Sequence, residues 1–320
     1  MIDQPITEGD STGPRDPEQL EAIAATATVE ISPETHMGAV HLTVADLGRS
    51  IRYYDEQIGL EVVSHDDGVA TLGTGGHGLL VLTELPGAPP SRGHTGLYHF
   101  ALLVPERDDL ARWLAHAARD RVSLVGLSDH FVSEALYLRD PDHHGIEIYW
   151  DRPREVWQDQ VGVRMTTEPL DVESLLGELD DPGSEPFDGL PGGTTMGHVH
   201  LQVAEIDSTV GFYRDLLGFT VDMHPAPPFA MLSRDGLRLL LSAPSAQGGG
   251  GQTLSDGRTP EPGGWNRFQI EVEDLAAEVE RLRAAGARLR SEIVVGNAGD
   301  QVLVDDPSGN PVELFQAHER

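Results

Sequence analysis

The sequence predicts an α+β protein that consists of four βαβββ modules arranged as two tandem domains. The first observation behind this prediction is an internal repeat, since residues 37–60 and 196–219 align at a constant offset of 159 with nine identities. The second is that strand-like and helix-like patterns follow one another in the same order in four successive segments. Nine identities in register are more than chance produces, which indicates an internal duplication.

The first module begins with the alternating strand 40–44, which is followed by a helix. Asp46 is the predicted N-cap of this helix and Gly59 its C-terminal end, because Asp accepts hydrogen bonds from helix N–H groups and Gly readily adopts the left-handed conformation. The apolar side chains between them fall at helical spacing: Leu47, Ile51, Tyr54 and Ile58. The remaining strands are predicted at residues 60–64, 69–72 and 79–82.

The other modules repeat this order. The second has predicted strands at 97–104, 135–138 and 145–149, and a helix at 108–120 with Leu110, Trp113, Leu114 and Ala117 on its inward face. The third opens with the strand 199–203. The fourth has strands at 268–272, 301–304 and 312–315 and a helix at 274–285.

The modules predict one domain at residues 37–150 and a second at 196–317. The segment 151–195 between them is rich in Pro, Gly, Asp and Glu, so it is predicted to be a linker with one helical stretch near 172–179. Residues 1–19 are acidic and polar, and residues 1–36 are predicted to form a mobile N-terminal extension, in which residues 17–25 could form one helix.

The charge excludes several kinds of partner. The 320 residues carry a formal net charge of −31 at pH 7, from 53 acidic and 22 basic residues, and every basic residue is Arg. Nucleic acids and anionic membranes are not expected as partners, because their phosphates would be repelled. The N-terminus lacks the basic and then apolar order of a signal peptide, and no apolar run reaches the roughly 18 residues of a membrane span, so a cytoplasmic location is expected.

The chain contains no cysteine. A disulfide framework and a zinc–thiolate site are therefore excluded. Any metal must be bound by histidine and carboxylate side chains, which restricts the chemistry of a metal site to nitrogen and oxygen ligands.

Four such modules with openings such as MGHVHLQV resemble the vicinal oxygen chelate superfamily, which includes glyoxalase I, extradiol dioxygenases and bleomycin-resistance proteins. Residues 96–157, with the motifs GLYHFAL and LYLRDPDHHGIEIY, are similar in particular to CatE-type bacterial catechol 2,3-dioxygenases. The resemblance implies modules that pair into incomplete barrels. It also implies an Fe(II) enzyme, with Mn(II) as the alternative ion, that inserts dioxygen into a small aromatic diol.

The same resemblance assigns roles to four residues of the second module. His99 on its first strand and Glu147 on its last strand correspond to metal ligands of extradiol enzymes. Tyr137, ten residues before Glu147, stands at the spacing of the tyrosine that hydrogen-bonds the substrate. His130 resembles the acid–base histidine of these enzymes, and an imidazole with a pKa near neutrality suits proton transfer.

The third ligand is not supplied by the first module, where Ala39 stands at the expected position. His41 is the nearest histidine, but it lies two residues on, roughly 6–7 Å along the strand. His198 of the third module matches the expected position. We therefore hypothesise that modules two and three pair to form the metal cavity, and that modules one and four pair without a metal. Exchange between the subunits of a homo-oligomer would bring the same residues together.

The fourth module does not complete a site with the third. It carries Arg267 where a histidine is required and Leu303 where the tyrosine is expected, although Glu313 is present. His41 and His200 are equivalent in the repeat, which predicts packing or hydrogen bonding common to both halves. His143 and His144 follow Asp140-Pro141 in a predicted turn and are expected to be exposed to solvent.

Two other functions remain open. A glyoxalase-like lyase or isomerase would use the same scaffold with a redox-inert metal, and it would need an acidic or Gln ligand from residues 237–241, where the sequence LRLLL has none. A metal-free binding protein of the resistance type would use the same cavities to hold a small molecule. The presence of Tyr137 and His130 favours the dioxygenase.

Overall fold

The computed structural model of this chain describes residues 37–91, 96–157, 167–226, 229–234, 237–242, 267–296 and 299–318. The extension 1–36 that was predicted to be mobile lies outside the described residues. Within those ranges, no helix is both long enough and apolar enough to cross a membrane.

The first module consists of β1 (Val40–Val44), α1 (Leu47–Tyr53), β2 (Glu61–Asp66), β3 (Val69–Thr74) and β4 (His77–Glu84). Helix α1 continues as a π-helical turn over Tyr54–Ile58. The predicted ends of the helix are confirmed, since Asp46 accepts a hydrogen bond from Arg49 N at 2.8 Å and Gly59 has a φ of 89°. Strand β1 pairs in parallel with β4, and β3 lies antiparallel between β4 and β2.

The second module consists of β5 (Gly96–Leu103), α2 (Arg107–Asp120), β6 (Leu124–Asp129), β7 (Ser133–Arg139) and β8 (Gly145–Asp151). Strand β6 was not predicted. Its sequence, LVGLSD, lacks the alternation of apolar and polar residues, and none of its residues is buried. It forms because its backbone pairs with β7.

The segment that was predicted to be a linker packs against the second module. It contains α3 (Arg154–Trp157), β9 (Glu168–Pro169) and α4 (Val172–Leu176). Strand β9 pairs with β6, and the apolar side chains of this segment join the main core: Leu170, Leu175, Leu179 and Leu190.

The second half repeats the order of the first. The third module consists of β10 (Thr195–Gln202), α5 (Ile206–Gly211), a π-helical turn (Phe212–Leu216), β11 (Thr220–Ala226), β12 (Phe229–Arg234) and β13 (Leu237–Ser242). The fourth consists of β14 (Arg267–Glu271), α6 (Leu275–Ala284), β15 (Arg288–Leu289), β16 (Val294–Val295), β17 (Gly299–Asp305) and β18 (Pro311–Ala317).

The strands form two nine-stranded sheets, neither of which closes into a barrel over the described residues. Sheet A joins modules one and four in the order β15-β17-β18-β14-β1-β4-β3-β2, with β16 beside β17. Sheet B joins modules two and three in the order β11-β12-β13-β10-β5-β8-β7-β6-β9. The predicted fold class is confirmed. The hypothesised pairing of modules is also observed, within one chain.

One large hydrophobic core lies between the sheets and the helices. Its largest fully buried side chains include Trp113, Tyr54, Tyr213, Phe100 and Phe268. Each such side chain contributes roughly 2–3 kcal/mol relative to full exposure. The core thereby fixes the strands whose other faces carry the functional residues.

Candidate metal centre

Three buried side chains of sheet B bring their ligand atoms to one point. Glu147 Oε2 lies 3.1 Å from His99 Nε2 and 3.1 Å from His198 Nε2, and the two imidazole nitrogens are 3.2 Å apart. Among the described residues, this is the one group of three such side chains whose ligand atoms lie within 4.8 Å of one another. The three ligand candidates from the sequence therefore meet in the structure.

The register of the strands explains why these side chains meet. On β5, Ala101 pairs with Glu147 of β8 on one side and with His198 of β10 on the other. His99 precedes Ala101 by two residues and so points to the same face of the sheet. Because Ala101 has only a methyl group, it leaves room for the three longer side chains to converge.

The geometry fits a metal ion held by three ligands on one face. Two ligands at right angles, each about 2.1 Å from a metal, are about 3.0 Å apart. The observed separations are 3.1 to 3.2 Å. Glu147 is buried, and the two imidazole nitrogens 3.1 Å from its Oε2 are ligand groups when neutral, so a metal ion at this point could compensate the carboxylate charge. Two histidines and one carboxylate on one face leave the remaining positions open for other molecules.

The two imidazoles also control the charge of Glu147. Burial alone would raise the pKa of its carboxyl group. His198 and His99 outweigh burial and hold that pKa well below its usual range. Glu147 is therefore ionised, which is the state that a metal ligand requires.

A cavity of about 220 Å³ opens beside the centre, and His99, His130, Tyr137 and His200 are in its wall. Tyr137 pairs with Glu147 across β7 and β8, so its ring is on the same side of the sheet as the ligand candidates. The Tyr137 hydroxyl lies 2.9 Å from His130 Nε2. The two candidates for catalytic roles thus form one hydrogen-bonded pair at the cavity wall.

His130 stands in a turn that is fixed by ion pairs. The next residue, Phe131, has a φ of 67°, in the region that favours glycine. Asp129 accepts a hydrogen bond from Phe131 N at 2.8 Å, and the Arg152 guanidinium binds both Asp129 oxygens at 2.6 and 2.9 Å. Arg152 also contacts Glu134 Oε1 at 2.7 Å. These contacts hold the imidazole at one place on the cavity wall.

Sequence patterns did not indicate Tyr98, which also lines the cavity. The pairing of β5 with β10 shifts at this point, since His200 is opposite His99 whereas Leu201 is opposite Leu97. Tyr98 is therefore the additional residue of a β-bulge, and a bulge redirects a side chain. Such an insertion depends on both strands, so neither strand's sequence reveals it alone.

Arg139 is a second lining residue that the sequence analysis missed. It follows Tyr137 by two residues on β7, so both side chains point to the same face. Counting in steps of two from Tyr137 would have found it.

The prediction that His143 and His144 are exposed to solvent is wrong. His144 is only 3% exposed, and His143 is half-buried. The Nδ1 atom of His144 lies 2.8 Å from Asp140 Oδ2, and its backbone N–H donates to Asp140 Oδ1 at 2.8 Å. The turn after Asp140 is thus folded inward around that carboxylate.

His41 and His200 take no part in the group of three. His200 lines the cavity, with its ring centre 5.0 Å from that of His99. His41 lies in sheet A, where its Nε2 is 3.5 Å from Glu313 Oε1. The structure therefore gives no support to His41 as the third ligand, since His198 occupies that place.

Comparison with known proteins agrees with the fold. The sequence profile of the Glyoxalase/Bleomycin resistance protein/Dioxygenase superfamily matches residues 36–148, and that of a glyoxalase-like domain matches residues 198–315. A catechol-2,3-dioxygenase of Bacillus subtilis (strain 168) is 44% identical over 196 residues, which span 60% of this chain and 67% of the relative. The chain belongs to the glyoxalase/bleomycin resistance/dioxygenase superfamily.

Solved structures of this superfamily share the fold. A candidate dioxygenase from Bacillus subtilis subsp. subtilis strain 168 superposes with a TM-score of 0.61 at 14% identity, and the match covers 91% of this chain and 87% of that one. Glyoxalase I from Zea mays superposes with a TM-score of 0.55 at 18% identity, covering 88% of this chain and 92% of that one. At such low identities the likeness concerns the architecture alone.

Proposed function

We propose that this protein is an Fe(II)-dependent extradiol dioxygenase that cleaves the ring of a catechol-type substrate. The observation that carries the proposal is the group of His99, Glu147 and His198 beside a cavity whose wall holds the Tyr137–His130 pair. The 44% identity to a catechol-2,3-dioxygenase supports it.

His99, Glu147 and His198 would hold the iron, with Mn(II) as the alternative ion. When bound, such a metal supplies open coordination positions on one side and the one-electron chemistry that activates dioxygen. The set of two imidazoles and one carboxylate suits iron or manganese, and the absence of cysteine excludes thiolate ligands.

The protein's own groups would bind the diol and move its protons. The Tyr137 hydroxyl is positioned to donate a hydrogen bond to a diol oxygen at the cavity wall. His130 Nε2, within hydrogen-bond distance of that hydroxyl, would accept the proton of the second diol hydroxyl and return it as the ring opens. Both atoms of dioxygen end in the ring-opened semialdehyde acid, so the reaction needs no external reductant.

Glyoxalase-type chemistry is less well supported by the same site. The residue that corresponds to Glu147 on the other side of the centre is Leu240, since Leu240 pairs with His200 as Glu147 pairs with Ala101. Leu240 packs with Phe229 and Met231 in a small apolar cluster. The centre therefore offers three candidate ligands among the described residues, where an isomerase of this kind would need a fourth.

The direct test is oxygen uptake by protein that has been loaded anaerobically with Fe(II), using catechol and substituted catechols. We expect one dioxygen consumed per catechol and a yellow ring-opened product. His130→Asn is expected to retain the iron and to lower kcat about 100-fold or more, because general acid–base catalysis contributes about 10²–10⁴-fold. His318→Asn is the matched control, because His318 is an exposed histidine that directly follows the last strand.

Three results would contradict the proposal. The first is protein that binds no stoichiometric iron or manganese, which would favour a metal-free binding protein. The second is activity with nickel or zinc but without oxygen uptake, which would favour an isomerase. The third is full activity in His130→Asn.

A further inference from the structure

The cavity has an end that the proposed ring chemistry does not use, and Arg139 and Tyr98 form it. Arg139 and Tyr137 point to the same side of β7, and their Cα atoms are separated by roughly 7 Å along the strand. In the register of sheet B, Arg139 pairs with Gly145, and Gly145 pairs with His99. Gly145 allows β5 to lie close against β8 at this point, since a Cβ there would meet the Tyr98 carbonyl oxygen and the His99 Cβ.

Tyr98 connects this end of the cavity to the metal centre. The guanidinium carbon of Arg139 lies 5.6 Å from the centre of the Tyr98 ring. The same ring lies 5.2 Å from the His99 ring and 5.2 Å from the His200 ring. The bulge at Tyr98 is the reason that a residue adjacent to His99 also reaches the cavity.

The carboxylates nearest to Arg139 in the chain have other partners. Asp140 binds His144 Nδ1 at 2.8 Å and accepts a hydrogen bond from the Tyr54 hydroxyl at 3.0 Å. Asp142 binds Arg49 at 2.6 Å. The Arg139 guanidinium donates a hydrogen bond from Nη1 to the His143 carbonyl at 3.0 Å. It makes no ion pair with any residue in the described ranges.

Arg139 therefore brings a positive charge to this end of the cavity. Of the described residues that line it, Arg139 is the one with a permanent charge, and no Asp or Glu is among them. At about 0.15 M ionic strength, charges act over about 8 Å, so the acidic surface of the protein does not cancel a guanidinium inside the cavity. A guanidinium fixed at one nitrogen still presents several N–H donors in a planar fork, which matches a carboxylate.

We propose that the substrate is a catechol that carries an anionic substituent, bound by Arg139 against the Tyr98 ring. This inference rests on the proposed dioxygenase function, which it extends to a class of substrate. The diol lies at His99, Glu147 and His198, the aromatic ring extends along Tyr98, and the carboxylate of the side chain meets Arg139.

The test compares a charged catechol with its neutral counterpart. The probes are 3,4- and 2,3-dihydroxyphenylacetate and their methyl esters, with the Fe(II)-loaded wild-type protein, Arg139→Gln and Arg139→Lys. For the wild type, we expect kcat/KM for at least one acid to exceed that for its ester about 10- to 100-fold. In Arg139→Gln we expect kcat/KM to fall much more for the acid than for the ester, so that the preference is lost, and Arg139→Lys retains part of it.

A second measurement separates this inference from the proposed function. Calorimetry under anaerobic conditions measures binding of 4-hydroxyphenylacetate, which has one ring hydroxyl and is not cleaved. Binding that is about 10-fold or more weaker in Arg139→Gln supports the subsite, even if neither acid nor ester is oxidised and the dioxygenase proposal fails. Equal binding by the wild type and Arg139→Gln, or equal losses for acid and ester in turnover, would overturn the subsite.

Discussion

The centres of the two sheets have the same backbone register but different side chains. In sheet B, Glu147 faces two histidines. In sheet A, Glu313 occupies the equivalent position, because it pairs with Gln269 as Glu147 pairs with Ala101. Arg267 stands where sheet B has His99, since Arg267 is opposite His41 as His99 is opposite His200.

The buried carboxylate of sheet A is neutralised by the protein itself. Arg267 Nε lies 2.6 Å from Glu313 Oε2, and Gln269 Nε2 donates to Glu313 Oε1 at 2.8 Å. Glu313 is fully buried. The position of the other histidine is taken by Ala39. A guanidinium thus stands where a metal ion would be bound.

This difference shows what a buried carboxylate in this fold requires. Moving an ionised carboxyl group out of water is strongly unfavourable unless a positive charge compensates it. Sheet A provides a guanidinium, whereas sheet B provides only imidazoles around Glu147. The centre of sheet B is therefore the one that could bind a metal ion, and the centre of sheet A is a structural ion pair.

The largest difference between the two centres is expected when Glu147 and Glu313 are each replaced by Gln in separate variants. Glu147→Gln should weaken metal binding by more than about 100-fold, because the loss of even a hydrogen-bonding partner of a ligand costs about 10–100-fold. Oxygen uptake should be lost with the metal. Glu313→Gln is the matched control, and its metal content by atomic absorption should equal that of the wild type. Equal metal loss in both variants would remove the distinction between the sheets.

The repeat explains how much of this could be predicted. The resemblance of residues 96–157 to extradiol enzymes selected His99 and Glu147, and the constant offset of the repeat selected His198, which aligns with Ala39. Pairing of modules two and three followed from the absence of a histidine at Ala39 and from Arg267. These are properties of single positions, which a sequence shows directly.

Features that depend on contacts between distant strands could not be predicted. Strand β6 forms by pairing with β7, although its own residues do not alternate. Tyr98 enters the cavity because the β5–β10 register shifts by one residue. His144 is buried because the Asp140 carboxylate is the hydrogen-bonding partner of its Nδ1 atom. The sequence of an Asp-Pro turn does not reveal that contact.

Restoring the missing histidines tests whether two side chains account for the difference between the sheets. Ala39→His with Arg267→His should give sheet A the same set of ligands as sheet B. We expect the metal content to rise from one to two equivalents per chain, measured by atomic absorption after dialysis. Ala39→His alone should leave it at one. If the double variant folds but binds no second metal, other residues of sheet A prevent metal binding.

Removing the guanidinium tests its role as a structural partner. Arg267→Met should lower the free energy of unfolding by about 3 kcal/mol, because it leaves a carboxylate buried without its cation, and Arg267 is itself slightly exposed. Arg267→Met with Glu313→Leu should recover most of that loss, since an apolar pair of similar size often replaces a buried ion pair without cost. Denaturant unfolding measures both. If the double variant loses as much free energy of unfolding as the two single variants together, Arg267 and Glu313 are not coupled.

The smallest expected effect concerns two turns that are also equivalent in the repeat. Asp140 is bound by His144, and Asp306 is bound in the same way by Asn310, whose side-chain nitrogen donates to Asp306 Oδ2 at 2.9 Å. Burial raises the pKa of Asp306 to about 6, and hydrogen bonds from Asn310 oppose this only in part. Burial also acts on Asp140, but His144 outweighs it and lowers the Asp140 pKa.

The two carboxyl groups should therefore affect stability differently as the pH changes. The pKa of Asp306 is raised on folding. Its contribution to the stability of the folded protein is therefore present at low pH and is lost as the pH rises through about 6. Relative to Asp306→Asn, the free energy of unfolding of the wild type should fall by roughly 2 kcal/mol between pH 4 and pH 7. The pKa of Asp140 is lowered, so its contribution to stability is present above the unfolded pKa of 3.8 and is lost as the pH falls below that value, which is the opposite direction. Unfolding by urea at several pH values measures both slopes, and equal slopes would mean that the exchange of His144 for Asn310 has no electrostatic consequence.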